Sequence, residues 1–166
     1  MHEHAPAAPA FLLALEQSGI GQAIRQAAWI YPIANTGHIL ALMLFAAAVA
    51  VMDLRILGAF SGTTPASVIV PARRASMLGL GLMLLTGLTL FVPDATRVGT
   101  HWVFQIKLAL IALGIANALL MAGPALRGVA AMPADAPLPQ QARIAAALSI
   151  LIWLCVAGLG RLIAYF

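Results

Sequence analysis

Four long apolar runs, separated by short polar stretches, make up most of the chain. Each run is close to the roughly 20 apolar residues that an α-helix needs to cross about 30 Å of hydrocarbon. The pattern therefore predicts four membrane-spanning helices, at about residues 30–52, 76–92, 101–123 and 142–166. The second run is the shortest, so we expect its helix to include residues from both flanks.

Residues 11–26 show a different pattern, because apolar and polar residues are mixed in FLLALEQSGIGQAIRQ. This pattern predicts a helix that lies at the membrane interface. No Lys or Arg precedes the segment, so a cleaved signal peptide is not expected. The loops at residues 58–71 and 124–141 contain many turn-forming residues, and neither is expected to form a second domain. The sequence thus predicts one all-α domain over residues 1–166, an integral membrane four-helix bundle with an N-terminal interfacial amphipathic helix.

The composition indicates the same class of protein. Hydrophobic residues make up 63% of the chain and charged residues 8%, whereas a soluble domain carries roughly 25% charged residues. A soluble core of this size could not hide so much apolar surface, so the lipid bilayer is the expected partner of the exterior. The net charge of +4 comes from short clusters between the apolar runs, which argues against nucleic acid as a partner. Cys155 is the only cysteine, which excludes a disulfide within the chain.

Positive residues near the helix ends are distributed unevenly. Lys and Arg near helix ends are retained on the cytoplasmic side of a membrane. One side carries five arginines and the other carries three: Arg55, Arg73, Arg74, Arg127 and Arg143 against Arg25, Arg97 and Arg161. This bias predicts a multi-pass protein of the bacterial inner membrane with both termini in the periplasm. We interpret Asp53 and Arg55 as a cytoplasmic boundary, with Asp53 able to pair with Arg73 or Arg74.

Ionisable residues inside a bilayer are costly and are therefore candidates for function. With the predicted topology, four of them fall in the outer half of the bundle: His38, His101, Lys107 and Arg161. Two imidazoles on different helices supply the two axial nitrogens that a b-type haem needs, and nearby cations would offset its propionates. The sequence therefore predicts a haem b site in which His38 and His101 bind the haem iron, with Lys107 and Arg161 beside it.

Simpler roles compete with this interpretation. His38 is predicted about 12 Å into its helix at 1.5 Å per residue, whereas His101 lies at a helix start, so their depths differ. The alternative for His38 is a hydrogen bond to a backbone carbonyl or to a polar side chain such as Asn35, Thr86 or Asn117. Alternatively, His101 is an ordinary residue of the membrane interface. Lys107 and Arg161 would then extend their charged groups to the lipid headgroups.

Two stretches carry a resemblance to known families. The segment YPIANTGHILALMLFAAAVAVMDLRILG, with HWVFQIKLALIALGIANALLM after it, resembles small bacterial inner-membrane proteins of unknown function. It is also distantly similar to four-helix membrane cytochromes b and copper-resistance D-type proteins, in which histidines hold haem and an aromatic-x-x-Lys-x-x-Leu stretch opens a helix. Here that stretch runs from Phe104 through Lys107 to Leu110. The resemblance implies at most one bis-histidine haem, on His38 and His101, with Lys107 and Arg161 contacting propionates or a quinone headgroup.

The leading hypothesis is a membrane-embedded b-type haem protein that transfers electrons between the quinol pool and a periplasmic partner. The alternative is a non-redox small transporter or anchoring subunit with a polar His, Lys and Arg site. A third hypothesis is metal handling by His2 and His4. No nucleotide-binding, zinc-protease or hydrolase motif is present, so no such motif supports a soluble-type catalytic site. The choice between a quinol-linked oxidoreductase and an electron-transfer subunit stays open. The modest four-span core is compatible with an oligomer, although no residue specifies one.

Overall fold

The computed structural model describes residues 8–134 and 136–162, which form helices and connecting turns and contain no strands. Two short helices, α1 (Ala10–Glu16) and α2 (Gly19–Gln26), precede the long helices α3 (Ile30–Leu57) and α4 (Pro65–Phe91). After a 3-10 turn come α5 (Ala95–Thr100) and α6 (Trp102–Ala116), and α6 continues through a π-helical stretch, Asn117–Ala122, into α7 (Gly123–Ala125). A connection with a second 3-10 turn leads to α8 (Gln140–Leu162).

The long helices suit a membrane in both length and composition. Four helical segments are long and apolar enough to cross one: Ile30–Leu57, Pro65–Thr100, Trp102–Ala125 and Gln140–Leu162. Large apolar side chains on these segments point away from the bundle, and Leu120, for example, is 72% exposed. Lipid solvates such a surface, whereas water does not. The prediction of an all-α, multi-pass membrane bundle is therefore confirmed.

The bundle has two ends, which we call the terminal end and the loop end. The terminal end holds α1, α2, α5 and the last turns of α8. The loop end holds the α3–α4 turn and the connection between α7 and α8. There Arg55 donates hydrogen bonds to the carbonyl oxygens of Thr63 (2.6 Å) and Ala134 (3.3 Å). An apolar core closes the loop end around Ile56 and Ile69.

Two helix boundaries differ from those predicted. α3 continues past residue 52 to Leu57, and Gly58 ends it with a left-handed φ of 119°. α4 begins at Pro65, inside the segment predicted as a loop, because proline is favoured in the first turn of a helix. The loop thus shrinks to residues 58–64, and Asp53 lies within the packed part of α3 instead of at its boundary.

The backbones of α3 and α4 approach each other closely at Gly79. A Cβ atom at this position would lie 2.9 Å from the backbone of Phe45, so only glycine fits. Small residues at the helix interfaces of membrane proteins allow such an approach. The contact holds α3 against α4 and so sets the relative height of the polar residues on the two helices.

The N-terminal segment forms two short helices instead of the single predicted one. The first helix ends at Glu16, and α2 begins at Gly19. Ser18 caps α2, because its hydroxyl oxygen accepts a hydrogen bond from the Gly21 N–H (3.2 Å). α1 is tied to α5 through the Glu16 carboxylate, which accepts hydrogen bonds from the hydroxyl of Thr96 and from its backbone N–H (2.8 Å). Both hydrogen bonds hold the pKa of Glu16 below its usual range, and the bond from the hydroxyl has the larger effect. The two short helices therefore lie across the terminal end.

Removing the Glu16 charge should loosen α1 and α2. We expect Glu16→Gln to speed hydrogen–deuterium exchange of their amides several-fold at pH 7, because a neutral amide is a weaker acceptor than a carboxylate. Since the pKa is lowered, the carboxylate's contribution is complete at neutral pH and is lost as the pH falls through that pKa. Asp94→Asn removes only an exposed pair with Arg97 (2.7 Å) and should leave this exchange unchanged. Equal exchange in Glu16→Gln and wild type would contradict the prediction.

Candidate functional site

His38 is a half-buried residue of α3 that forms an interhelical hydrogen bond. Its Nδ1 lies 2.8 Å from the hydroxyl oxygen of Thr86 on α4. This hydroxyl already donates its proton to the carbonyl oxygen of Leu82 (2.7 Å), so it must accept the bond from His38 Nδ1–H. The hydrogen-bond network therefore assigns the Nδ1–H tautomer, and His38 Nε2 keeps a free lone pair.

Lys107 of α6 carries an ammonium group that is close enough to act electrostatically on the His38 imidazole. A Cβ atom at Gly160 of α8 would lie 3.3 Å from Lys107 Nζ, and one at Gly87 of α4 would lie 3.3 Å from His38 Cε1. The α4 backbone thus packs against His38, and the α8 backbone packs against Lys107. We define the terminal-end site by His38, Thr86 and Lys107.

Lys107 has no counter-ion in the part of the chain that the structure describes. The ion pairs among residues 8–134 and 136–162 are Arg25–Glu16 and Arg97–Asp94, in the segments that cover the terminal end. Lys107 is half-buried among apolar helices, where an unpaired cation is costly. Within the described part of the chain, the terminal-end site thus combines a positive charge that has no counter-ion with an imidazole lone pair.

His101 has another role. It caps α6, because its Nδ1 accepts a hydrogen bond from the Val103 N–H (3.3 Å). Its ring stacks on Trp102, with the ring centroids 6.3 Å apart. Since Nδ1 is an acceptor, Nε2 carries the proton of the neutral ring. No hydrogen bond or ring contact joins His101 to His38 in the described residues, and their pairing on one haem stays a prediction.

The other predicted ligands are distributed as follows. Arg161 comes directly after Gly160 in the last turn of α8, and its side chain is exposed. His2 and His4 lie outside the described residues. Among residues 8–134 and 136–162, no group of three or more His, Cys, Asp and Glu side chains comes together. His38 fits one axial position of a haem, whereas His101 would first have to leave its helix cap.

An apolar layer separates the terminal-end site from the loop end. Phe45 and Trp153 make an edge-to-face contact with ring centroids 4.6 Å apart. Trp153 also lies against α6, where a Cβ atom at Gly114 would come within 2.8 Å of the indole ring. An apolar cavity of about 130 Å³ lies beside the two rings, and Met83 is among its lining residues. Polar side chains of the bundle interior thus lie on both sides of this apolar layer.

The loop end contains buried charged residues that the sequence interpretation treated as a boundary. Asp53 is 1% exposed and Arg55 is 3% exposed. The expected pairing of Asp53 with Arg73 or Arg74 is absent from the described residues. The Arg55 guanidinium binds backbone carbonyls instead, and the Asp53 carboxyl interacts with the hydroxyl of Ser149 on α8.

The sequence does contain a signal for the burial of Asp53. Ala41, Phe45 and Val49 are buried at four-residue spacing on α3, and Asp53 continues this row. Residues four apart share one face of a helix. The spacing therefore assigns Asp53 to the packed face, although its charge suggested the end of an apolar run.

Comparisons with known proteins identify a family and no activity. No curated protein and no solved structure matches the chain. One family of unknown function matches residues 12–166. This match confirms the resemblance to a family of unknown function and does not bear on cytochromes b or copper-resistance D-type proteins. The chain therefore belongs to the family of unknown function DUF6644.

Proposed function

We propose that the chain is a small membrane transport protein that binds a small anion at the terminal-end site. The observation that carries the proposal is the half-buried Lys107, which has no anionic partner among the described residues. Burying a charge without a partner costs several kcal/mol, roughly 3–5 when one member of a buried pair is removed. A bound anion would offset that cost. This proposal develops the non-redox alternative drawn from the sequence.

The chemistry of the terminal-end site suggests which anions would bind best. An ammonium group offers three N–H donors to an anionic oxygen, and the free Nε2 of His38 accepts a hydrogen bond. An anion that also carries a hydroxyl, such as lactate or dihydrogen phosphate, can use both groups. Chloride can use only Lys107, so we expect it to bind more weakly.

The layered interior supports transport in preference to simple anchoring. Polar side chains face the interior at both ends of the bundle, and the Phe45–Trp153 contact closes the region between them. An anchoring subunit has no need of such an arrangement, whereas a transporter needs a site and a barrier that can open. The arginine bias supports an inner-membrane orientation with both termini, and hence the terminal-end site, toward the periplasm.

The test is anion-dependent stability and flux of the detergent-purified full chain. Tm is followed by tryptophan fluorescence while the bulky buffer anion HEPES is replaced by lactate, phosphate or chloride at constant sodium and ionic strength. Ligands that bind the folded state raise Tm, so we expect lactate and phosphate to raise it more than chloride. Proteoliposomes should also accumulate labelled lactate faster than empty liposomes. A Tm that responds to none of the three anions would overturn the proposal.

The tautomer of His38 favours a second candidate, the b-type haem protein. Metal-binding histidines generally donate one ring N–H to a second group and use the other nitrogen for the metal. The bond from His38 to Thr86 has this form. Haem would supply one-electron chemistry between the quinol pool and a periplasmic partner. His38 and His101 would hold it, with Lys107 and Arg161 beside its propionates or a quinone headgroup.

Absorption spectra of the oxidised and dithionite-reduced protein test this second candidate. The protein is expressed with ample haem, alongside His38→Ala and His101→Ala. If both histidines bind haem iron, the wild type shows a b-type spectrum that both variants lose. A colourless wild type would contradict the haem candidate and leave the anion proposal standing.

A further inference from the structure

Polar residues of α3 and of the π-helical stretch each contact α8 near the loop end, apart from the terminal-end site. Asp53 of α3 interacts with the hydroxyl of Ser149 on α8. Asn117, the first residue of the π-helical stretch, donates a hydrogen bond from Nδ2 to the carbonyl oxygen of Ala145 on α8 (2.9 Å). Ala145 and Ser149 are four residues apart and share one face of α8. We call Asp53, Asn117 and Ser149 the loop-end cluster.

Two oxygen acceptors of the loop-end cluster have no hydrogen-bond donor among residues 8–134 and 136–162. They are Asp53 Oδ2 and Asn117 Oδ1, and both atoms are buried. Asp53 is 1% exposed and Asn117 is 5% exposed. Buried polar atoms in native proteins are nearly always satisfied, so two unsatisfied acceptors in one cluster call for a missing positive group. A bound cation supplies one.

No basic side chain of the surrounding helices fills that role in the described residues. Arg55 is directed to the carbonyl oxygens of Thr63 and Ala134. The Arg73 guanidinium of α4 lies beside the first residue of α7, Gly123. A Cβ atom at Gly123 would be 3.7 Å from it. Arg74 and Arg143 are exposed. None of these four forms an ion pair with Asp53, and Lys107, the charged residue of α6, belongs to the terminal-end site.

We propose that Asp53, Asn117 and Ser149 form a buried site for one monovalent cation, either Na⁺ or a proton. The donor set consists of a carboxylate, an amide oxygen and a hydroxyl, which are hard oxygen ligands. Its single carboxylate balances one positive charge, so a monovalent cation fits. π-helical stretches recur at functional sites, and irregular helices in transporters commonly help to bind Na⁺ or protons. Asp53 lies four residues before the end of α3, about 6 Å at 1.5 Å per residue, so the loop end is the nearer route of entry.

The experiment measures Tm of the full chain in detergent by tryptophan fluorescence. Na⁺ is titrated against N-methyl-D-glucamine at constant chloride and ionic strength, at several pH values. Because the anion is constant, the result is independent of the terminal-end site, and either proposal can fail alone. The variant is Asp53→Asn, and the control is Asp94→Asn, which removes a carboxylate exposed at the other end and should behave as wild type.

Each result has a defined meaning. If the site binds Na⁺, the wild-type Tm rises with Na⁺, and Asp53→Asn loses the rise. If it binds a proton, the wild-type Tm falls as the pH rises without any effect of Na⁺, and Asp53→Asn loses this pH dependence. Equal responses of wild type and Asp53→Asn to both cations would overturn the proposal. If Asp53→Asn does not fold, Ser149→Ala is used instead, because it keeps the carboxylate. We expect it to shift the midpoint of the Na⁺ or proton titration about tenfold, as loss of a supporting ligand does. An unchanged midpoint would count against the site.

Discussion

Lys107→Met is expected to abolish the response of the protein to anions while raising its stability in their absence. Methionine fills a volume similar to that of lysine without a charge, so the cost of the unpaired cation disappears and the baseline Tm should rise. The binding energy from the ammonium group disappears as well. If that loss is roughly 3–5 kcal/mol, the dissociation constant for lactate rises by at least about a hundredfold, since 1.4 kcal/mol is tenfold. Both effects are measured in the same Tm titration, and lactate flux should fall to the level of empty liposomes.

Two further variants separate the charge of Lys107 from its position. Lys107→Arg keeps the charge and should retain measurable anion-dependent stabilisation. Arg97→Gln removes a cation of the terminal end that is exposed and paired with Asp94, and it should leave the titration unchanged. A Lys107→Met protein that has a lower baseline Tm and still responds to lactate would show that Lys107 is structural.

Gly79→Leu is expected to produce the largest loss of stability. The new Cβ would lie 2.9 Å from the Phe45 backbone, where no flexible side chain can yield, so α3 and α4 must separate. Overpacking of this kind typically costs about 1–3 kcal/mol and occasionally more. Thermal unfolding in detergent, followed by tryptophan fluorescence, should show a markedly lower Tm. Separation of these helices should also weaken the His38–Thr86 hydrogen bond and with it any ligand response.

Gly81→Leu is the matched control for this prediction. It lies two residues further along the same helix and is exposed, and a Cβ atom there would meet nothing within 4 Å. An added leucine would therefore contact lipid, and we expect a Tm close to that of wild type. Equal losses in the two variants would indicate a general effect of removing glycine from α4 instead of a close approach to α3.

The helices were largely predictable because their signal is local. The first predicted span shares its start, Ile30, with α3, and the third agrees with α6–α7 apart from small shifts at its ends. The fourth agrees with α8 to within two residues at its start, and its predicted end at residue 166 lies outside the described residues. The errors occurred where polar residues lie inside a helix. Charge and proline usually mark helix ends, so the pattern predicts a boundary at Asp53 and Arg55 and a loop around Pro65, whereas these residues lie within α3 and α4.

The candidate sites were less predictable because they depend on several helices at once. Sequence alone selected His38 and Lys107, since an ionisable residue inside an apolar run is costly wherever the other helices lie. It also gave Thr86 as one of several partners for His38. It gave no role to Ser149 and named Asn117 only as a candidate partner of His38, because a single polar residue in a span is common and its partner is far away in the chain.

The sequence by itself determined that this protein is a membrane bundle, through the length and hydrophobicity of its apolar runs. It also determined which residues inside those runs are costly enough to be candidates for function. Only the tertiary structure decided that His38 bonds to Thr86 beside Lys107, that His101 caps a helix, and that Asp53 is buried against Ser149. The physical reason is the geometry of the helix. One residue corresponds to a rotation of about 100° and a rise of 1.5 Å, so a small change in the rotation or stagger of a neighbouring helix exchanges one polar partner for another without altering the apolar pattern.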